Sequence, residues 1–214
     1  MLMQLMSERE FFEKQARTKV REAVEAVEAQ TSAELVVAVR RQSSHYRHVD
    51  VALGSLSAFI VLLLLLFLPW PFDVNWMPVE VALSFSVGMA VSSTFWTLKR
   101  WLVRDRCLRE ATWRAACTLF HEKGISRTSG RNGILVLVSM LERRVEIVTD
   151  IGIDVDALGP GWTEALGKIR GAVGAKPDFD RFVQALVELG PALGVLMPRA
   201  EDDVNELPDE PDVS

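Results

Sequence analysis

Eighteen consecutive residues, Val51 to Leu68, carry no charge, and the nine from Ile60 to Leu68 are apolar without exception. At about 1.5 Å of rise per residue, a helix of that length matches a hydrocarbon core about 30 Å thick. A chain of 214 residues has room for one ordinary domain, which could not also wrap such a helix on every side. The run therefore predicts a membrane span. A second uncharged stretch, Val81 to Leu98, is diluted by Ser84, Ser86, Gly88, Ser92 and Ser93, with Glu80 at its outer end. Small residues of this kind mark where one membrane helix packs on another. The expectation is a transmembrane hairpin over residues 49–98, with spans at about 51–68 and 79–98.

Between the spans, Pro69 to Pro78 contains three prolines, Trp70 and Trp76, and neither Lys nor Arg. Proline interrupts helices and tryptophan favours the headgroup layer, so this reads as an interfacial turn. Arg40, Arg41 and Arg47 precede the hairpin, and Lys99, Arg100, Arg104 and Arg106 follow it. The positive-inside rule then puts both termini in the cytoplasm and the turn outside, in a two-span protein of the cell membrane. The basic residues from Lys99 to Arg109 read as topology signals and anionic-lipid contacts, not as a nucleic-acid site.

The flanks have the patterning of a soluble protein. Ser7 with Glu10 forms a capping box, followed at helical spacing by Phe12, Ala16, Val20, Ala23, Val24 and Val27, which predicts a helix ending near Gln30. Leu35 to Val39 is a continuous apolar run, suited to a strand buried on both faces. After the hairpin, Trp101 to Glu122 predicts one long helix with Gly124 as its cap, then strands at Ile134 to Val138 and Val145 to Thr149 joined across Glu142 and Arg143. Helices follow at about 163–173 and 178–193. The last fourteen residues hold seven acids and no base, so removing them from a net charge of −5 leaves a body of +2. From Arg199 onward the chain reads as an acidic disordered tail, residues 199–214. The first flank, about forty residues, is too short to fold alone. Residues 7–47 and 99–198 are therefore expected to build one sheet together, a small α/β/α sandwich interrupted by the hairpin.

Three stretches carry a likeness to a known family: Thr31-Ser32-Ala33-Glu34-Leu35-Val36-Val37, Arg131-Asn132-Gly133-Ile134-Leu135-Val136-Leu137-Val138, and Glu142-Arg143-Arg144-Val145-Glu146-Ile147. With the helix before the first of them, they resemble the TPM domain family over roughly residues 8–40 and 107–196, in the variant whose domain is split by a membrane hairpin. The resemblance implies an α/β/α sandwich. It also implies one of three roles: accessory factor of a membrane complex, divalent-cation binder, or weak acid phosphatase. The family's glycine-containing turn after the second strand falls at Asp150-Ile151-Gly152-Ile153-Asp154.

The acidic constellation in that region is Asp150, Asp154 and Asp156. Clustered loop carboxylates can hold Ca²⁺ or Mg²⁺, since hard cations take oxygen ligands. The same residues equally suit a solvated turn with capping aspartates. Leu158 stands where an aspartate-nucleophile motif needs Thr or Val, the loop from Gly124 to Gly133 lacks the Gly-Lys-Ser/Thr ending of a phosphate loop, and neither Cys107 nor Cys117 has an arginine six residues on. The two thiols lie ten residues apart on a helical pattern, about 15 Å, too far to pair. The functional expectation is a membrane-tethered module that binds a protein partner, with a metal-dependent phosphatase as the alternative.

Overall fold

The structure, a computed structural model, describes residues 10–68, 73–94, 96–200 and 205–214, and of 96–98 the backbone alone. The capping box at Ser7 and the prolines and Trp70 at 69–72 lie outside the described residues. The chain divides into two compact units, Met1–Ser43 with Arg109–Ser214, and Ser44–Leu108.

In the first unit, α1 (Lys14–Glu28) buries Ala16, Val20, Ala23, Val24 and Val27. These are the apolar positions of its helical repeat. β1 (Glu34–Arg40) is buried along nearly its whole length. It pairs in parallel with β2 (Gly133–Ser139), Val37 opposite Val136, and β2 pairs antiparallel with β3 (Arg144–Thr149). Burial on both faces explains why β1 and β2 show no alternation of polar and apolar residues. Leu35, Val37, Val39, Ile134, Val136 and Val138 face a core shared with α1 and with three later helices: α6 (Gly159–Val173), α7 (Phe179–Val187) and α8 (Leu189–Gly194). Val36, Ala38, Leu135 and Leu137 face the other way, toward Ala116, Leu119 and Phe120 of α5 (Asp105–Glu122). A sheet with helices on both faces results. Phe11 closes one end of the larger core edge-to-face on Phe179, with centroids 5.1 Å apart, a contact contributing about 0.5–1.5 kcal/mol beyond burial.

The second unit is a helical hairpin of α2 (Arg47–Phe67) and α3 (Met77–Thr94), with the short α4 (Trp96–Leu102) after it. Small residues set its packing. A methyl group added at Gly88 would come within 2.8 Å of Ser57 Cβ and 3.0 Å of Gly54 Cα, and one at Gly54 within 2.9 Å of Phe85 O. Ser57 and Ser84 share a hydrogen bond of 2.8 Å. Ser84, Gly88 and Ser92, four residues apart, thus line the face against α2, whereas Ser86 and Ser93 bond their own helix at Ala82 O and Ala90 O. Where α2 begins and α4 follows, Lys99 Nζ donates to Asp50 Oδ2 (3.0 Å) and Ser92 Oγ to Asp50 Oδ1 (2.6 Å), all three side chains buried.

Three expectations need correction. The long helix from Trp101 to Glu122 is broken at Val103 and Arg104, with Asp105 opening α5 by its charge in the first turn. The helix expected over 178–193 is two, parted at Glu188, because Pro191 has no N–H for the carbonyl of Val187 and its ring crowds that carbonyl. The third concerns the acidic tail. Asp212–Val213 forms a strand, β4, parallel to β1 at Ala38 and Val39, giving the order β3-β2-β1-β4. Specific partners on the sheet edge supply the order that the tail's composition does not. Of the two spans, Arg47–Phe67 alone among the described helices has the length and hydropathy of a membrane crossing; Pro78, Glu80 and the serines keep Met77–Thr94 from qualifying.

Candidate functional site

The turn after β3 is tied to the loop before β2 by backbone and side chain together. Asp150 N donates to Gly133 O (2.9 Å) and Gly152 N to Arg131 O (2.9 Å). A methyl group at Gly152 would lie 2.5 Å from both Gly130 O and Arg131 O, so no residue with a Cβ fits. Asp150 is buried, with Oδ1 held by Arg131 Nη2 (3.1 Å) and by the amide of Ile151 (2.8 Å). Arg131 adopts a left-handed φ of 51°, as Arg143 does at 50° in the β2–β3 turn. Both arginines belong to the stretches that resemble the TPM family. Glu142 in that turn accepts from Ser43 N (3.0 Å) and from Ser139 Oγ (2.5 Å), fastening the turn to the end of β1.

The three aspartates singled out by the sequence do different things. Asp150 is the anchor just described. Asp154 caps the following turn, accepting from Ala157 N at 3.3 Å, and Asp156 is exposed. No group of three His, Cys, Asp or Glu side chains that could hold a metal occurs among the described residues. A guanidinium and an amide already occupy the one buried carboxylate oxygen pair's nearer atom, and the other two carboxylates stand in solvent. That donor set does not fit Ca²⁺ or Mg²⁺, which need six or more oxygens converging at 2.0–2.6 Å. Asp150 Oδ2 and Asn132 Oδ1 remain as buried acceptors without a hydrogen-bond partner.

A second constellation lies at the other edge of β1 and was not legible from spacing. Glu25 and Glu28 near the end of α1, Glu34 opening β1, Arg199 and Asp209 line a cavity of about 170 Å³. Leu35 N donates to Glu28 Oε1 (3.0 Å), so a side-chain carboxylate stands where a neighbouring strand would put a carbonyl. Glu34, buried, accepts from Leu207 N at 3.2 Å. Burial pushes the Glu28 carboxyl up to about 8, and Asp209 and Glu34 push the same way against Leu35 N and Arg199. The acids crowd Glu28 into holding a proton, while Glu25 pairs with Arg21 at 3.5 Å. Glu34, an acid at the head of an apolar run, was the site's one visible sign in the sequence.

Farther along the same edge the balance reverses. Arg40 grips Asp212 in a fork, Nη1 to Oδ1 at 2.9 Å and Nη2 to Oδ2 at 3.1 Å, and Lys123 reaches Oδ2 as well. Burial alone would raise Asp212, but these two cations hold it below the usual carboxylate range.

No family model matches this chain, and no curated protein matches it. Among solved structures it is similar to the NMR structure of the BA42 protein from the psychrophilic bacterium Bizionia argentinensis, with a TM-score of 0.56 and 16% identity over 94% of each chain. The shared feature is the fold, which is TPM-domain-like.

Proposed function

We propose that this protein is a membrane-anchored member of the TPM-like fold that serves as a binding or accessory module for a protein partner at the cytoplasmic face. The observation that carries the anchor is α2. Its 21 residues are long and apolar enough to cross a membrane, and only 22% of that apolar stretch is buried. Phe59, Leu63, Leu66 and Phe67 are exposed, and such a surface is stable in lipid rather than in water. With α3 packed on α2 through Gly54, Ser57, Ser84 and Gly88, the pair suits two spans joined by the turn around Trp76, an interfacial residue by type. The arginines and lysines flanking the hairpin favour both termini inside.

The test is topological. In a chain carrying Cys107→Ser and Cys117→Ala, a cysteine at Asn75 is labelled by an impermeant thiol reagent on intact cells and one at Ser7 is spared. Reversed labelling, or release of the protein by alkaline carbonate, overturns the anchor. The accessory role is tested by mild-detergent capture from native membranes; recovery of the chain with no protein at fixed ratio overturns it.

A further inference from the structure

β3 ends the sheet order β3-β2-β1-β4 and has one neighbour strand, β2. Asp150 N donates to Gly133 O, one step beyond Thr149 opposite Ile134, so these two residues form a hydrogen-bonded pair. In an antiparallel ladder such pairs alternate with unbonded ones. Val148, Glu146 and Arg144 therefore turn their main-chain groups toward β2, and Val145, Ile147 and Thr149 turn theirs away from it. Among the described residues, no hydrogen bond reaches the amides or carbonyls of those three. The strand has no proline, and its register with β2 runs without a bulge. Natural sheets protect regular edges of this kind, because their free main-chain groups pair readily with another extended chain. At the start of β3, Arg143 Nη1 donates to Ala175 O (2.8 Å) and ties down the loop after α6, which leaves Val145 to Thr149 as the open run. Just past its end, Ile151 is 83% exposed.

Three guanidiniums converge on one carboxylate along this strand. Burial pushes the Glu146 carboxyl up, and Arg170, Arg144 and Arg109 pull it back down. Arg109 belongs to α5 and Arg170 to α6, the two helical layers on opposite faces of the sheet. The sign of that charge chooses between occupants. Two copies pairing β3 with β3 about a twofold axis would double the arginines at one seam, and like charges across paired strands are destabilising. An extended segment that carries acids meets complementary charge instead.

We propose that the outer edge of β3 is a docking edge for an extended acidic segment of a partner protein, which joins the sheet through the main chains of Val145, Ile147 and Thr149 and sets its carboxylates against Arg109, Arg144 and Arg170. This rests on the binding-module reading and names the chemistry of its partner. Main-chain bonds supply the affinity. The arginines supply the choice, since a guanidinium recognises a carboxylate by geometry as well as charge.

The experiment uses the full chain in mild detergent and a fluorescent peptide alternating glutamate with valine. Saturable binding is expected, with slowed hydrogen exchange at the amides of Val145, Ile147 and Thr149, which exchange quickly in the free chain. The same peptide with lysine for glutamate, or with alternate amides N-methylated so that it cannot pair, should bind about tenfold more weakly or worse. Thr149→Pro removes one outward N–H and keeps the ladder to β2; Arg109→Gln with Arg170→Gln removes charge and leaves the main chain alone. Each should weaken the acidic peptide about tenfold while exchange at Ile134–Val138 stays as in wild type, the mark of an intact sheet. If Thr149→Pro disturbs those residues, the arginine variant decides. No binding by wild type, equal affinity for the glutamate and lysine peptides, or outward amides already protected in the free chain overturns the proposal. So does a concentration-dependent dimer abolished by Thr149→Pro, which would make the occupant a second copy. Capture from native membranes is read separately, so a silent peptide beside a captured partner removes the docking edge and leaves the module.

Discussion

Both units bury carboxylates, and they treat them in opposite ways. In the hairpin, Asp50 has a lysine on one oxygen and a serine hydroxyl on the other, at 3.0 and 2.6 Å. In the sandwich, Glu28 keeps one amide hydrogen bond while Asp209 and Glu34 press on it. The first arrangement is closed: every charge has its complement, and removing either partner strands the other. The second is met by a proton: burial and the acids beside it keep Glu28 protonated at neutral pH. Fixed partners settle the first carboxylate, and pH settles the second.

The largest test of that contrast breaks the sandwich without touching the hairpin. Val37 is buried at the centre of β1, opposite Val136, so Val37→Asp places a carboxylate with no partner between two helical layers, at a cost of several kcal/mol. Hydrogen exchange at Ile134–Val138 should accelerate greatly while α2 and α3 keep their protection. Unchanged exchange in β2 would mean that the two chain segments do not fold as one sheet.

Next in size is the hairpin's own pair. Asp50→Ala leaves Lys99 buried and unpaired, and breaking a buried ion pair from one side costs about 3–5 kcal/mol. Asp50→Ala with Lys99→Met removes both charges and should recover most of that loss, because the desolvation of both ions is then avoided. If thermal unfolding in detergent gives the double variant the same loss as the single, the pair is not what holds the base of the hairpin.

The sandwich carboxylate predicts a smaller effect of opposite sign. Burial raises Glu28 in the folded state to about 8, from an ordinary value of 4.5. Between those values the folded chain holds the proton and the unfolded chain does not, so the stability this group contributes is full below 4.5, is lost as pH rises, and levels off above 8. Glu28→Gln keeps an acceptor for Leu35 N and removes the charge. It should add about 1–2 kcal/mol above pH 8, a figure reduced because solvent reaches the group, and almost nothing at pH 5. A variant whose advantage over wild type does not grow with pH would refute the crowding of acids at this cavity.

The contrast also explains what could be read in advance. β1 and β2 were legible because continuous apolar runs fit strands covered on both faces, and β3 because it follows β2 across a short turn. The small residues of the second hairpin helix were legible because only they permit close packing. Glu28 was not, since Glu22, Glu25 and Glu28 recur on α1 as any solvated face would; Asp209 and Arg199, which act on its carboxyl, lie more than 170 positions away. The tail was misread for the same reason. Seven acids and two prolines describe a segment that cannot make a core by itself, and composition is blind to an edge with Arg40 and Lys123 already waiting. The break at Glu188 was available in Pro191, whose missing N–H outweighs the apolar repeat around it.

The smallest effect concerns the aspartates that looked most like chemistry. Asp154 caps a turn through a single long bond to Ala157 N, 3.3 Å, and Asp156 is exposed. Asparagine caps nearly as well as aspartate, so Asp154→Asn with Asp156→Asn should change stability by no more than about 0.5 kcal/mol. Its hydrolysis of a general phosphate ester should match the wild-type rate. A calcium titration separates the readings further. Three converging carboxylates would repel one another without a cation, and Ca²⁺ would raise the melting temperature of wild type but not of the double variant. Asp150 is already neutralised by Arg131, which leaves too few free oxygens at this turn for a calcium site. The expected result is therefore the same small shift in both proteins, arising from the exposed acids of the tail. A shift present only in the wild type, or phosphatase activity lost with the two aspartates, would bring the metal-dependent reading back and place the protein's chemistry at this turn.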